Sequence, residues 1–137
     1  MMRPFLLDTC AVLWIVADEI SQTVVEALAQ ARRHGLPMYV SPITAWEIGL
    51  MARKGRFKSH HSPQRWFEIL MGTPGAALAA LTPAVLMESS FLPGSLRGDP
   101  ADRIIAATAR EYGYSVITRD RALLDYGREG YLSVMEC

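Results

Sequence analysis

The chain has 137 residues, half of them hydrophobic and a fifth charged, which suits one compact domain and is too short for two. Fourteen basic and fourteen acidic residues give a net charge of zero, which excludes a protein held on nucleic acid or an anionic membrane by its overall charge. The longest apolar run, residues 10–17, has eight residues, whereas a membrane helix needs about 20. We therefore expect a soluble protein with no membrane association.

The N-terminal segment does not predict export. Arg3 precedes an apolar stretch, as in a signal peptide, but Asp8 places a charge inside that stretch. The two cysteines, Cys10 and Cys137, are therefore interpreted as thiols rather than as a disulfide. We expect a cytoplasmic protein.

Short apolar runs predict strands, and serine, threonine or aspartate before a helix-forming run predicts where a helix starts. The first predicted elements are a strand at 5–7, a helix from about Cys10, a helix capped by Ser21 and ended by Gly35, and a strand at 38–40. There follow a helix from Pro42 to about Lys54, a helix from Pro63 that carries Trp66, a strand at 77–81 and a helix from Pro83 toward Phe91. The last are a helix from Pro100 through Tyr112, a strand at 115–118, a short helix at 120–126 and an edge strand at 132–134. Because strands and helices alternate, we expect an α/β fold in one domain over residues 1–137, with a parallel sheet of about five strands and helices on both faces. Such sheets bind ligands at the carboxyl ends of their strands, where the strand order reverses.

Four acids fall at or near the starts of predicted helices. Asp8 follows the first strand and Asp120 the fourth, so both are expected at the same edge of the sheet. N-capping of the following helix explains either residue equally well when it is taken alone. Asp99 occupies a cap position before Pro100 and is interpreted as mainly structural, whereas Asp102 in the next turn can cap, bind a ligand or do both.

Glu47 lies in the middle of its predicted helix, where no capping role is available. It shares a helix face with Ile43, Leu50 and Met51. A buried carboxylate needs a partner or a raised pKa, so we expect Glu47 to face either a metal ion or, as the alternative, an arginine.

Several carboxylates at one sheet edge repel one another unless a cation lies between them. The candidate ligands are all carboxylate oxygens, and no histidine or cysteine is expected in the cluster, which favours Mg²⁺ or Mn²⁺ over zinc. Such an ion keeps several waters and binds phosphate oxygens, which suits hydrolysis of a phosphodiester.

A basic segment follows Glu47. The twenty residues between Glu47 and Glu68 contain no acid, and their basic residues are Arg53, Lys54, Arg56, Lys58 and Arg65. A polyanion bound along this segment would pass close to a metal at Glu47. Trp66 is interpreted as a core residue, with stacking on a nucleic-acid base as the alternative.

Four sequence fragments resemble the PIN-domain nucleases, in particular the VapC-type toxins of prokaryotic toxin–antitoxin pairs. They are Asp8-Thr9 after a strand, Trp46-Glu47-Ile48 within a helix, GDPADRIIAATA at 98–109, and Thr118-Arg119-Asp120 after a strand. The resemblance covers essentially the whole chain. It departs at Arg97, where many relatives carry a histidine two residues before the aspartate-proline pair.

The resemblance implies a ribonuclease that holds Mg²⁺ or Mn²⁺ on Asp8, Glu47, Asp102 and Asp120, with Asp99 accessory. It also implies a homodimer and a small VapB-like antitoxin, which forms a hetero-oligomer with the toxin and whose tail enters the active site. The residues expected to contact the substrate are Arg53, Lys54, Arg56, Lys58, Arg103, Arg119, Thr9 and Thr118. Arg103 and Arg119 have the alternative of pairing with the acids.

The leading hypothesis is thus a metal-dependent endoribonuclease that arrests growth as a toxin. An RNA-processing nuclease of the same fold without an antitoxin is the second hypothesis. A receiver-like regulatory domain that binds Mg²⁺ without being an enzyme is the third. It would need a second acid beside Asp8 and a lysine late in the sheet, but the neighbours of Asp8 are Leu7 and Thr9, and the only lysines are Lys54 and Lys58.

Overall fold

The computed structural model describes residues 2–96 and 98–137, so Met1 and Arg97, with its departure from the family pattern, lie outside the described residues. Within them, five parallel strands form one sheet in the order β3-β2-β1-β4-β5. The strands are β1 (Phe5–Leu7), β2 (Met38–Val40), β3 (Ala76–Leu78), β4 (Ser115–Thr118) and β5 (Ser133–Glu136). The parallel five-stranded α/β fold confirms the prediction, and the strand order reverses between β1 and β4.

Seven helices lie in the described part of the chain, and each starts at a polar cap. They are α1 (Thr9–Val16), α2 (Gln22–Arg33), α3 (Pro42–Arg53), α4 (Pro63–Met71), α5 (Pro83–Glu88), α6 (Pro100–Tyr112) and α7 (Arg121–Arg128). In each case a serine, threonine or aspartate side chain accepts a backbone N–H of the first turn. None of these helices has the length and apolar character needed to cross a membrane.

Four predicted elements differ from the structure by more than one residue at an end. One is the short helix predicted at 120–126, which is α7 at Arg121–Arg128. The strand predicted at 77–81 is β3 at Ala76–Leu78, because its partner β2 ends at Val40, whose carbonyl accepts the Ala79 N–H at 2.8 Å. The helix predicted to run toward Phe91 ends at Glu88, where the Ser89 hydroxyl donates to the Leu86 carbonyl at 2.6 Å and competes with the helix ladder. The strand predicted at 132–134 is β5 at Ser133–Glu136.

The core consists of two hydrophobic clusters, one on each face of the sheet. Side chains alternate along each strand, so that Leu7 and Ile117 join one cluster while Leu6 and Val116 join the other. Helices α1 to α4 cover the first cluster, and α6 and α7 cover the second. This confirms that helices lie on both faces.

Trp66 belongs to the core. It is 8% exposed and meets the Phe57 ring edge-on, with ring centres 5.5 Å apart. The core interpretation is confirmed, and the alternative of base stacking by Trp66 is wrong because the ring is not accessible.

Candidate active site

Asp8 lies at the point where the strand order reverses. Its N–H donates to the Ile117 carbonyl at 3.2 Å, which joins the ends of β1 and β4. The residue is 5% exposed; its carboxylate Oδ1 accepts the Ala11 N–H at 2.8 Å, and Oδ2 accepts the Thr118 hydroxyl. Burial raises the pKa of Asp8, the two hydrogen bonds oppose this, and the charge of Asp120 adds to it.

Thr118 connects Asp8 to Asp120. Its hydroxyl donates to Asp8 Oδ2 and accepts the Asp120 N–H at 2.9 Å, while Asp120 Oδ2 accepts the Leu123 N–H at 3.0 Å. Thr118 is fully buried, and its contact with substrate stays a prediction. It is a positioning residue for both acids.

Glu47 is held by a hydroxyl rather than by an arginine. The Thr9 hydroxyl donates to Glu47 Oε1 at 2.5 Å and lies 3.0 Å from the Thr44 hydroxyl. Burial raises the pKa of Glu47, the bond from Thr9 opposes this, and the charges of Asp99 and Asp8 add to it. Thr9 is 7% exposed and its hydroxyl is bonded to Glu47, while its contact with substrate stays a prediction.

Asp102 occupies the first turn of α6. Asp99 caps that helix, with Oδ1 accepting the Asp102 N–H at 3.0 Å. Burial raises the pKa of Asp102 to about 7, together with the charges of its acidic neighbours, Asp99, Asp120, Glu47 and Asp8. These five residues, Asp8, Glu47, Asp99, Asp102 and Asp120, are named the acid group below. The predicted site acids are thus electrostatic neighbours.

Gly98 makes room for Asp102. A Cβ atom added at Gly98 would lie 2.9 Å from Asp102 Cβ and 3.0 Å from Asp102 Oδ2. Position 98 therefore accommodates glycine and no larger residue unless the Asp102 side chain moves.

The acid group has no cationic partner within residues 2–96 and 98–137. The two ion pairs there join Arg65 to Glu68 and Arg128 to Asp125, all on the surface. The alternative of a buried pair between Glu47 and an arginine is not found among these residues. No three histidine, cysteine or acidic side chains of these residues lie close enough together to hold a metal ion as they stand. The acids are therefore neighbours, but their side chains do not meet at one point.

Cys10 lies among the acids, although no cysteine was expected there. The residue is exposed. Partial burial of the thiol raises its pKa to about 11, together with the charges of four acids, Asp8, Glu47, Asp102 and Asp120. Both Cys10 and Cys137 are free thiols, as predicted.

A groove between α3 and the start of α6 adjoins the acids. Its volume is about 250 Å³. Its lining residues are Trp46, Glu47, Leu50, Met51, Lys54, Arg56, Asp99, Pro100 and Ala101. This α3–α6 groove brings two of the predicted cations beside two members of the acid group.

The PIN domain family matches residues 5–129 of the chain. This protein belongs to the PIN-domain family. Ribonuclease VapC22 of Mycobacterium tuberculosis is 33% identical to it over 122 residues, which cover 89% of this chain and 91% of that relative. The resemblance to VapC-type PIN domains is thereby confirmed.

Solved structures share the fold of this PIN domain. VapBC2 from Rickettsia felis, bound to a DNA fragment of its promoter, matches with a TM-score of 0.70 at 14% identity over 96% of this chain and 97% of that one. A toxin–antitoxin complex from Klebsiella pneumoniae matches with a TM-score of 0.56 at 19% identity over 95% and 94%. At these identities the likeness establishes the fold alone.

Arg119 of this PIN domain has structural contacts. Its Nε donates to the Cys137 carbonyl at 2.6 Å, its Nη2 donates to the Glu19 carbonyl at 3.1 Å, and its guanidinium lies 3.8 Å above the centre of the Trp14 ring. These contacts tie the end of β5 to the loop after α1. They do not support the expectation that Arg119 binds substrate or pairs with the acids, because the guanidinium is already engaged elsewhere.

The other predicted substrate residues differ in position. Lys54 and Arg56 line the α3–α6 groove, whereas Arg53 and Lys58 are exposed outside its lining and Arg103 is partly buried in α6. For all five, contact with substrate stays a prediction.

Trp46 is the groove residue that the sequence interpretation missed. Its side chain is 54% exposed next to Glu47. The helical pattern contained a signal, because Trp46 lies off the stripe of Thr44 and Ile48 that α3 buries.

Proposed function

We propose that this protein is a metal-dependent endoribonuclease that acts as the toxin of a VapBC-type toxin–antitoxin pair. The observation that carries the proposal is the acid group at the reversal of strand order. The pKa values of three of its members, Asp8, Glu47 and Asp102, are raised, and no cation of the described part of the chain is paired to the group. The name of the Mycobacterium tuberculosis relative, a ribonuclease, supports RNA as the substrate class.

The acids suit a hard divalent ion. Asp8, Glu47, Asp102 and Asp120 would hold Mg²⁺ or Mn²⁺, with Asp99 accessory, because carboxylate oxygens are the ligands these ions prefer. The bound ion would supply a water of lowered pKa and neutralise charge that develops on the phosphate. The pKa of Asp102 is raised by burial and, in addition, by the charges of its acidic neighbours, and binding of the ion would relieve that repulsion.

Two threonines organise the ligands. Thr118 fixes the spacing of Asp8 and Asp120, and Thr9 orients Glu47. Prealigned carboxylates lose less conformational freedom when an ion or substrate binds. Because burial and its acidic neighbours raise the pKa of Asp102 to about 7, binding of the ion near neutral pH would favour release of a proton from Asp102.

The partners follow from the relatives. Solved structures with this fold include toxin–antitoxin complexes, which supports a VapB-like antitoxin whose tail occupies the acid group and forms a hetero-oligomer with the toxin. A homodimer is part of the same proposal. Exposed apolar side chains on and after α5, Met87 at 63% and Phe91 at 80%, support a protein interface on this molecule.

The test is cleavage of RNA by the purified protein with Mg²⁺ or Mn²⁺. We expect EDTA to abolish cleavage, and Asp8→Asn to lower the rate by about two orders of magnitude or more because a ligand is lost. Asp125→Asn is the matched control, because Asp125 pairs with Arg128 on the surface. Cleavage that survives EDTA or Asp8→Asn would refute the mechanism.

Induction in cells tests the biological part of the proposal. A toxin should arrest growth, and co-expression of its antitoxin should restore it. Cleavage in vitro combined with harmless induction would instead indicate an RNA-processing nuclease without an antitoxin.

A further inference from the structure

Trp46 presents a large aromatic surface to solvent beside the acid group. It is 54% exposed, precedes Glu47 in α3 and lines the α3–α6 groove. Within residues 2–96 and 98–137 it forms no aromatic pair and no cation–π contact. The other two tryptophans have such partners, Phe57 for Trp66 and Arg119 for Trp14.

The rest of the groove divides by charge. Leu50 and Met51 supply apolar lining, and Lys54 and Arg56 supply two positive charges near the end of α3. Lys54 lies eight residues after Trp46, which is about 12 Å along the helix axis. An aromatic surface with cations at this distance matches a nucleotide strand, whose bases are flat and whose phosphates are negative.

We propose that Trp46 is a stacking platform for an unpaired base of the substrate, while Lys54 and Arg56 bind phosphates of the same strand. This inference rests on the proposed function, since it places the strand beside the acid group. A base can stack on an indole only when it is not paired and stacked inside a duplex. The groove therefore selects single-stranded RNA segments.

The charges favour a nucleotide strand over a peptide as the occupant of this groove. Lys54 and Arg56 attract a polyanion and repel a basic tail. Glu47 and Asp99 also line the groove, and a phosphate directly beside these two acids would need a metal ion, whereas the phosphates at Lys54 and Arg56 would not. The strand would thus lie with a phosphate at the metal and a neighbouring base on Trp46.

Binding in EDTA tests the platform separately from cleavage. A labelled ten-nucleotide oligoadenylate is titrated with protein at low salt, and the dissociation constant is read from fluorescence polarisation. We expect Trp46→Ala to weaken binding about 10-fold and Trp46→Phe to stay within about 3-fold of the wild type, because a phenyl ring still stacks. Tyr112→Ala is the matched control. Tyr112 is an exposed aromatic residue at the end of α6 that lies farthest from Asp99, and its loss should leave affinity unchanged.

An abasic strand of the same length separates stacking from charge. The wild-type protein should bind oligoadenylate about 10-fold more tightly than the abasic strand, and Trp46→Ala should abolish that preference. Duplex RNA should bind both proteins equally. The abasic comparison on the wild-type protein still tests the platform if a variant does not fold.

Three outcomes would overturn the inference. In the first, Trp46→Ala binds oligoadenylate as tightly as the wild type does. In the second, Trp46→Ala loses as much affinity for the abasic strand as for oligoadenylate. In the third, binding of an antitoxin-tail peptide depends on Trp46 and binding of RNA does not. Failure of the proposed function is distinguishable, because it would leave Trp46-dependent binding in EDTA without any cleavage when Mg²⁺ or Mn²⁺ is added.

Discussion

The Cys10 thiol should report the charge of the acid group without any need for catalysis. Its pKa is raised from 9.0 to about 11 by partial burial and by four neighbouring carboxylates. At neutral pH this shift lowers the thiolate fraction about 100-fold, and alkylation slows in proportion because the thiolate is the nucleophile. Removing a nearby negative charge must lower the pKa and accelerate the reaction.

The perturbation is Asp102→Asn in a Cys137→Ser background, which leaves Cys10 as the single thiol. We expect alkylation by iodoacetamide at pH 8 to be several-fold faster in this variant, and saturating Mg²⁺ to accelerate the protein that retains Asp102 at least as much. Burial contributes the largest part of the shift, so the full factor of about 100 is not expected. The assay is the pH dependence of the alkylation rate, followed by mass spectrometry.

Asp125→Asn provides the control, because this acid lies on the surface in an ion pair with Arg128. An alkylation rate that is the same in Asp102→Asn and in Asp125→Asn would refute the electrostatic reasoning. A rate that Mg²⁺ leaves unchanged in the protein with an intact acid group would argue against a metal ion there.

Three further predictions concern stability and geometry. Because the pKa of Asp102 is about 7 in the folded protein against 3.8 for an ordinary aspartate, the folded state binds the proton more tightly. The stability that this contributes is lost as pH rises from about 4 to 7. In EDTA, the melting temperature should therefore fall less between pH 5 and pH 8 in Asp102→Asn than in the wild type. Thr118→Val removes the hydroxyl that bonds two site acids; it should lower the free energy of unfolding by roughly 1–3 kcal/mol in urea titrations and also slow cleavage. Thr118→Ser keeps the hydroxyl and should retain most of the stability and most of the cleavage rate. Gly98→Ala pushes on the Asp102 side chain, because the new Cβ would lie 2.9 Å from its Cβ; cleavage should fall far more than in Gly49→Ala, whose Cβ meets nothing within 4 Å, and equal activities would contradict the steric role.

The sequence predicted the framework because local signals decide it. Ser41 before Pro42 and Asp99 before Pro100 fix the starts of two helices, and the structure has both. Asp8 and Asp120 were open to a capping role or a site role, and each both caps a helix and belongs to the acid group. The two interpretations were compatible because strand ends and helix starts coincide in this fold.

The contacts that the sequence could not predict join residues far apart in the chain. Thr118 bonds to Asp8 across 110 positions, and Arg119 bonds to the Glu19 carbonyl across 100. No local sequence pattern shows that Thr118 is buried or that Arg119, next to it, binds carbonyl groups. The place of Cys10 was not predicted for a different reason. The prediction of a cluster made only of carboxylates did not consider which residues of α1 lie beside those carboxylates.

Three helices, α1, α6 and α7, begin at members of the acid group, with Asp8, Asp99 and Asp120 as their caps. The positive ends of three helix dipoles therefore point toward these carboxylates. Fixed peptide dipoles thus take up part of a task that lysine or arginine side chains usually perform. A divalent cation that enters the site consequently meets carboxylates stabilised by backbone dipoles. It does not have to displace a lysine or arginine side chain of residues 2–96 or 98–137.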